Sequence, residues 1–148
     1  SLLLVSDGES LTSLLMTTQR HGPFFSDTWQ RDDNAKPFSK AREQLAAYFA
    51  RELTEFDLPM KMIGTEFQKI VWRELLNIPF GATISYGELA RRIGNPNSSR
   101  AVGAANGRNP ISIIVPCHRV IGANGKLTGY GGGLERKEWL LAHESAPR

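Results

Sequence analysis

Cys117 and His118 are the adjacent pair whose residue types most invite chemistry. A cysteine attacks as its thiolate, and a free thiol with pKa about 8.5 is only a few per cent ionised at neutral pH. A neighbouring imidazole is a base for that proton. Against this stands the blander reading, since lone cysteines are usually buried and inert. Ile111–Val115 reads as a buried strand, and Pro116 breaks it, which sets Cys117 at a strand end. Side chains of neighbouring residues in an extended strand point to opposite faces, so the chain has to turn at Pro116–His118 for ring and sulfur to cooperate. A third group should orient the imidazole. Glu144 and its neighbour His143, late in a last helix beginning near Leu134, are the candidates.

The elements that position these residues are legible in part. Leu2–Val5 and the apolar residues after Asp7-Gly8 read as two antiparallel strands joined by a tight turn. Residues 37–51 carry apolar positions at helical spacing behind Pro37, and Leu58–Ile63 is a short strand candidate. Thr65 with Gln68, and Ser85 with Glu88, are capping-box patterns that open two helices. A further helix runs from about residues 97–99 to Asn106. With its predecessor, across Gly94-Asn95-Pro96, it has the spacing of a helix-turn-helix. Its residues Ala101, Gly103 and Ala104 are small enough for close approach to another surface, and Arg100 stands in its first turn. The alternative is a tightly packed core helix with Arg100 reaching solvent. The run Gly129–Gly133 with Tyr130 suits backbone approach to a flat ligand, or a surface loop. His21 has no companion ligand and reads as a loop residue.

Composition bounds the rest. The 148 residues are 41% hydrophobic and 22% charged, a globular balance for one domain or two small lobes. No apolar run approaches the roughly 20 residues of a membrane span, and no secretory signal is visible, so an intracellular, cytoplasmic protein is expected. One cysteine excludes an intramolecular disulfide and any zinc site with two or more cysteine ligands. Residues 1–63 hold seven Lys/Arg against nine Asp/Glu, whereas residues 64–148 hold eleven against six. Between Leu89 and Leu134 there is no acidic residue, while Arg91, Arg92, Arg100, Arg108, Arg119 and Lys126 fall there. That asymmetry suits a polyanion such as nucleic acid, or an ordinary basic face.

The run Ile114-Val115-Pro116-Cys117-His118-Arg119-Val120-Ile121, preceded by Gly107-Arg108-Asn109-Pro110, resembles the active-site signature of the O6-alkylguanine-DNA alkyltransferases. Gly64–Gln68, Ser85–Ala90, Ser99–Gly103, Gly129–Leu134 and Glu138–Glu144 are similar to the family in order and spacing. The resemblance is close over residues 64–144 and loose before them. It implies an α+β fold. A small N-terminal strand and helix lobe, residues 1–63, packs on a mainly helical C-terminal domain, residues 64–148, that holds the helix-turn-helix and the cysteine.

The function implied is direct-reversal DNA repair: irreversible, stoichiometric transfer of the alkyl group from O6-alkylguanine, and O4-alkylthymine, in a flipped-out nucleotide. By the resemblance Cys117 is the acceptor, His118 the base acting through a water, Glu144 its orienter, and Asn109 an organiser of the cysteine turn. Tyr86 acts on the 3′ phosphate and guanine N3, with Ser85 beside it on DNA. Arg100 fills the stack, and Ala101, Gly103 and Ala104 lie in the minor groove of double-stranded DNA. Tyr130, Gly131 and Gly132 wall the base pocket near Ser112 and Val120, and Gly131 implies tolerance of bulky O6 groups. No cofactor and no metal are implied, since the zinc ligands of some members are missing. The protein is expected to act as a monomer, with cooperative binding along DNA left open. The chain begins at Ser1 and looks shorter than the family pattern in its first strand. A lesion binder of the alkyltransferase-like kind, which flags rather than repairs, is the main alternative, and a cysteine hydrolase the second.

Overall fold

The computed structural model describes residues 2–16, 29–127, 130 and 133–145. Strands β1 (Leu2–Ser6) and β2 (Leu11–Met16) pair antiparallel from Leu2↔Met16 to Ser6↔Leu11, with a register shift after Val5. Their connection is wider than a two-residue turn. The Asp7 carboxylate accepts from the Glu9 and Ser10 amides at 2.9 and 2.8 Å, and Gly8 takes φ +98°. This is the local side-chain-to-backbone turn that Asp favours, with Gly supplying the positive φ.

The free edge of β2 is occupied. Leu11 exchanges backbone hydrogen bonds with Pro59 and Lys61 at 2.8 and 2.9 Å, and Leu14 with Pro110 and Ser112 at 2.9 and 3.1 Å. One strand edge therefore holds both the connection after the first helix and the segment leading to Cys117. Neither partner is a strand. The candidate at Leu58–Ile63 reduces to a bridge at Met60, and the one at Ile111–Val115 to a bridge at Ile111. Prolines bracket the latter segment and remove ladder donors. The chain then folds through two turns of i→i+2 type, Ile114 N–H to Ser112 O and Cys117 N–H to Val115 O, each 2.8 Å. Ile113, at the first, sits at φ +71° with its side chain 2% exposed. A β-branched residue in that region costs about 1–3 kcal/mol. Burial of the side chain in the hydrophobic core offsets it.

Helix α1 (Lys36–Phe49) starts with Pro37 in its first turn and turns Ala41, Leu45 and Tyr48 inward, one apolar stripe. Helix α2 (Glu66–Leu75) has the reciprocal box that Thr65 and Gln68 predict, with bonds of 3.1 and 2.9 Å. A Cβ on Gly64 would stand 2.6 Å from the Trp72 ring, so the entry to α2 requires glycine. Trp72 Nε1 donates to Ala105 O at 2.8 Å and locks α2 to α4 (Ser99–Gly107). Helix α3 (Tyr86–Arg92) is capped by Ser85 Oγ, but the other half of its predicted box does not form. The Glu88 carboxylate is drawn instead to Arg91 and Arg92 at 3.1 and 3.6 Å, one turn on.

Strands β3 (Ile84–Ser85) and β4 (Val120–Ile121) form a two-residue parallel pair, and α5 (Leu134–Ser145) closes the domain. The architecture is α+β, with a strand hairpin on a mainly helical remainder. Among the described residues, no helix is long and apolar enough to cross a membrane.

Candidate active site

After Pro116, at φ −84° and ψ 64°, the chain enters a short 3-10 helix, Cys117–Arg119. The turn needed between sulfur and ring is thus made within the Pro116–His118 stretch. Two asparagines hold it from α4 and its exit. Asn109 Nδ2 donates to Val115 O at 2.7 Å while its Oδ1 accepts from the Ile111 amide at 3.0 Å, and Asn106 Nδ2 donates to Cys117 O at 3.3 Å. Cys117 is 5% exposed. Burial pushes its thiol up to about 11, with the Asn109 side chain and the Lys137 charge opposing. At neutral pH the resting thiol is therefore protonated, more fully than an exposed cysteine.

His118 is fully buried, and its Nε2 lies 2.7 Å from Glu144 Oε2. An ionised carboxylate only accepts, so Nε2 carries the proton and Nδ1, which has no partner among the described residues, is left as the basic nitrogen. Burial lowers the His118 pKa, against the hydrogen bond and charge of Glu144. The imidazole is therefore neutral and able to accept a proton. His143, the other candidate orienter, goes elsewhere: its Nε2 meets Tyr48 O at 2.9 Å and its ring stacks on Trp139 at 4.9 Å.

Three residues join this cluster that sequence reasoning did not assign to it. Arg119 grips both Glu144 oxygens, Nε to Oε1 at 2.8 Å and Nη2 to Oε2 at 3.0 Å, and donates to Ile78 O at 2.7 Å. Tyr48 donates to Glu144 Oε2 at 2.7 Å from the N-terminal lobe, which had offered no chemical cluster. Lys137 is wholly buried, donates to Val120 O at 2.6 Å and lies 5.9 Å from the centre of the Tyr86 ring. Burial pulls its ammonium down to about 8, and the Cys117 sulfur works the other way. Lys137 had a signal, being seven residues before Glu144 on the same helical face. In the sequence Arg119 is one charge of the basic stretch, and Tyr48 one of the apolar positions of residues 37–51. Burial would raise Glu144, yet the hydrogen bonds from His118 and Arg119, with the Arg119 charge, hold it well below the usual carboxylate range.

The other predicted residues are spread over two surfaces. Tyr130 is 6% exposed, with its hydroxyl raised well above the ordinary value by burial and then by Cys117, Ser112 opposing. Ser112 and Val120 are buried as well. Gly131 and Gly132 lie outside the described residues, as does His21. On α4, Arg100, Ala101 and Ala104 are exposed, while Gly103 is half-buried and faces the Tyr86 ring. Ser85 Oγ is committed to capping α3. The basic stretch is less basic than its count. Arg119 is neutralised inside and Arg91 and Arg92 pair with Glu88, which leaves Arg100, Arg108 and Lys126 without an ion-pair partner among the described residues. Those residues contain no group of three or more His, Cys, Asp or Glu able to hold a metal.

A family model described as 6-O-methylguanine DNA methyltransferase, DNA binding domain, matches residues 66–146, and its ribonuclease-like domain counterpart matches residues 1–62. A methylated-DNA--protein-cysteine methyltransferase of Mycolicibacterium paratuberculosis is 57% identical over 143 residues, covering 97% of this chain and 85% of that protein. One of Methanosarcina acetivorans is 53% identical over 145 residues, covering 98% and 92%. The crystal structure of Mycobacterium tuberculosis OGT in complex with DNA superposes with a TM-score of 0.90 at 56% identity, over 97% of this chain and 86% of that one. With a cysteine turn braced by a buried His–Glu–Arg cluster and matches along almost its whole length, the chain belongs to the 6-O-methylguanine DNA methyltransferase family.

Proposed function

We infer that this protein repairs alkylated DNA by direct reversal, moving the alkyl group from guanine O6 to Cys117 in one irreversible step. The observation that carries the reading is a buried thiol and a buried imidazole in one turn of 3-10 helix, the imidazole's Nε2 tied to a fully paired carboxylate. Attack forms the S–C bond and breaks the C–O6 bond, whose electron pair returns to the guanine ring. The thiol proton passes to His118 Nδ1, in this reading through a water; the guanine anion that leaves takes a proton from solvent, and His118 returns its own to solvent, so no net proton is gained or lost. Glu144 holds the ring and favours the imidazolium as it forms. A thioether has no leaving group for water to displace, so each molecule acts once.

A thiol this buried cannot reach a base within a duplex, so the nucleotide is extruded at a cost of a few kcal/mol. Arg100, exposed at the start of α4, fills the gap, and the small residues Ala101 and Ala104 let that helix sit in the minor groove. Gly103, small and half-buried, sits on that helix beside the Tyr86 ring, and Tyr86 acts on the flipped nucleotide with Ser85 at its helix start. Lys137 adds positive charge beside Cys117 and Tyr86 as negative charge develops on sulfur and base. Asn109 keeps the cysteine turn, and Tyr130, Ser112 and Val120 line the base pocket. The division at residue 63/64, supported by the two matched spans, separates a bracing lobe from a DNA-reading one. The protein acts as a monomer on each lesion; a Hill slope above one on long DNA would add cooperativity.

Intact-mass measurement after incubation with a duplex carrying one O6-methylguanine tests the reading. One added methyl per chain, absent in Cys117→Ser, is the expected result. An unchanged mass with tight lesion binding would make the protein a flagging binder instead.

A further inference from the structure

Tyr48 lies in α1, 96 residues from Glu144 in the chain, yet its hydroxyl donates to Glu144 Oε2 at 2.7 Å. That oxygen is the one His118 Nε2 meets, also at 2.7 Å, and Arg119 Nη2 reaches it at 3.0 Å. The other oxygen, Oε1, receives Arg119 Nε at 2.8 Å and no second donor among the described residues. A buried tyrosine needs some acceptor, and a backbone carbonyl would serve for packing alone. Here the acceptor is the atom that binds the His118 ring and raises its proton affinity against burial.

The ring has no freedom to swing away. Tyr48 is fully buried, with Phe56 and Phe80 at centroid distances of 5.5 and 6.0 Å, and the His143 ring at 5.2 Å. His143 also fastens the Tyr48 carbonyl at 2.9 Å. The hydroxyl is therefore a fixed donor. A donor onto Oε2 draws negative charge away from His118 and fixes the carboxylate plane that aims the imidazole.

We propose that Tyr48 is a positioning residue for alkyl transfer, with its hydroxyl orienting Glu144 and setting how strongly that carboxylate pulls on His118. The proposal rests on His118 acting as the base. The other groups facing the pair are Arg119 from the 3-10 helix and Lys137 from α5, both of which disfavour a charged His118. Cys117 adjoins it in the chain, and His143 reaches Tyr48 rather than the pair. Tyr48 carries no charge, so changing its hydroxyl alters the pull without altering the charge.

The test is the pH dependence of single-turnover transfer from an O6-methylguanine duplex. Tyr48→Phe keeps the ring and frees Oε2 to bind the His118 proton more tightly. Its acid limb is expected to move up by about half to one pH unit, so that transfer at a fixed pH on that limb falls roughly three- to tenfold while transfer at neutral pH, above the limb, changes little. Placing 3-fluorotyrosine at position 48 strengthens the donor, and the limb is expected to move the opposite way. That second protein carries the test by itself should Tyr48→Phe fold poorly. Identical limbs in all three proteins, with only the melting temperature changed, would overturn the proposal and leave Tyr48 a packing residue. His118→Gln separates the two levels. A limb that survives it removes the base assignment and the Tyr48 proposal with it, whereas a limb that needs His118 but ignores position 48 removes the proposal alone.

Discussion

Around Glu144 the charges are buried and matched, whereas along the outer face of α4 they are exposed and unmatched. His118, Arg119 and Tyr48 converge on one carboxylate at 2.7–3.0 Å. Arg100, Ala101, Ala104 and Arg108 stand in solvent, with no ion-pair partner among the described residues for either arginine. The two regions answer different demands. Proton transfer gains from fixed dipoles in a dry site, because they need no reorganisation as charge develops. Recognition of a polyanion needs cations left free to replace counterions. A charge count along the sequence treats Arg100 and Arg119 alike, but one belongs to each region.

The comparison is open to breakage, beginning with its buried half. Glu144→Gln leaves Arg119 without its carboxylate, so we expect a loss of about 3–5 kcal/mol in denaturant unfolding and transfer slowed about a hundredfold or more. An intact stability would mean that Arg119 is not held as described. The same group sets an acid dependence. Its folded pKa is depressed, so its contribution is present above the unfolded value, near 4.3, and is lost as pH falls from there toward the folded one. The stability gap between wild type and Glu144→Gln should therefore close on acidification below about pH 5.

The exposed half should respond to salt instead. Arg100→Ala and Arg108→Ala should each reduce the log–log salt slope of DNA binding by about one, with stability changed by less than about 0.5 kcal/mol. A slope unchanged by both would take the α4 face out of the DNA contact. Transfer from free O6-benzylguanine should be nearly flat with salt in the wild-type protein, since its chemistry lies in the buried half.

The smallest expected effects lie in the supporting structure. Glycine is ordinarily worse than alanine by about 0.5–1 kcal/mol. At Ile113, with φ +71°, the order should reverse, so that Ile113→Gly unfolds no earlier than Ile113→Ala. Thr65→Ala should cost about 1 kcal/mol through its lost cap and leave the transfer rate alone, because the bonds to Glu144 come from Tyr48, His118 and Arg119 rather than from α2.

Legibility followed the range of the interactions. The hairpin, α1, the Thr65 box and the two helices around Gly94 are written in spacings of a few residues, and they were readable. Ile111–Val115 was misread because its apolar run is that of a strand, while its bracketing prolines and the bonds to Leu14 force turns. The Ser85 box half-failed because Glu88 had two guanidiniums within one helical turn.

By itself the sequence determined the family frame, the cysteine and its histidine neighbour, and Glu144 as a candidate to orient that histidine, all carried by one collinear stretch. Tertiary structure alone decided which charges are silent, that His143 turns away, and that Tyr48 and Lys137 belong with the cysteine turn. Those outcomes depend on burial and on contacts between residues up to 96 positions apart, whose energies no local spacing encodes.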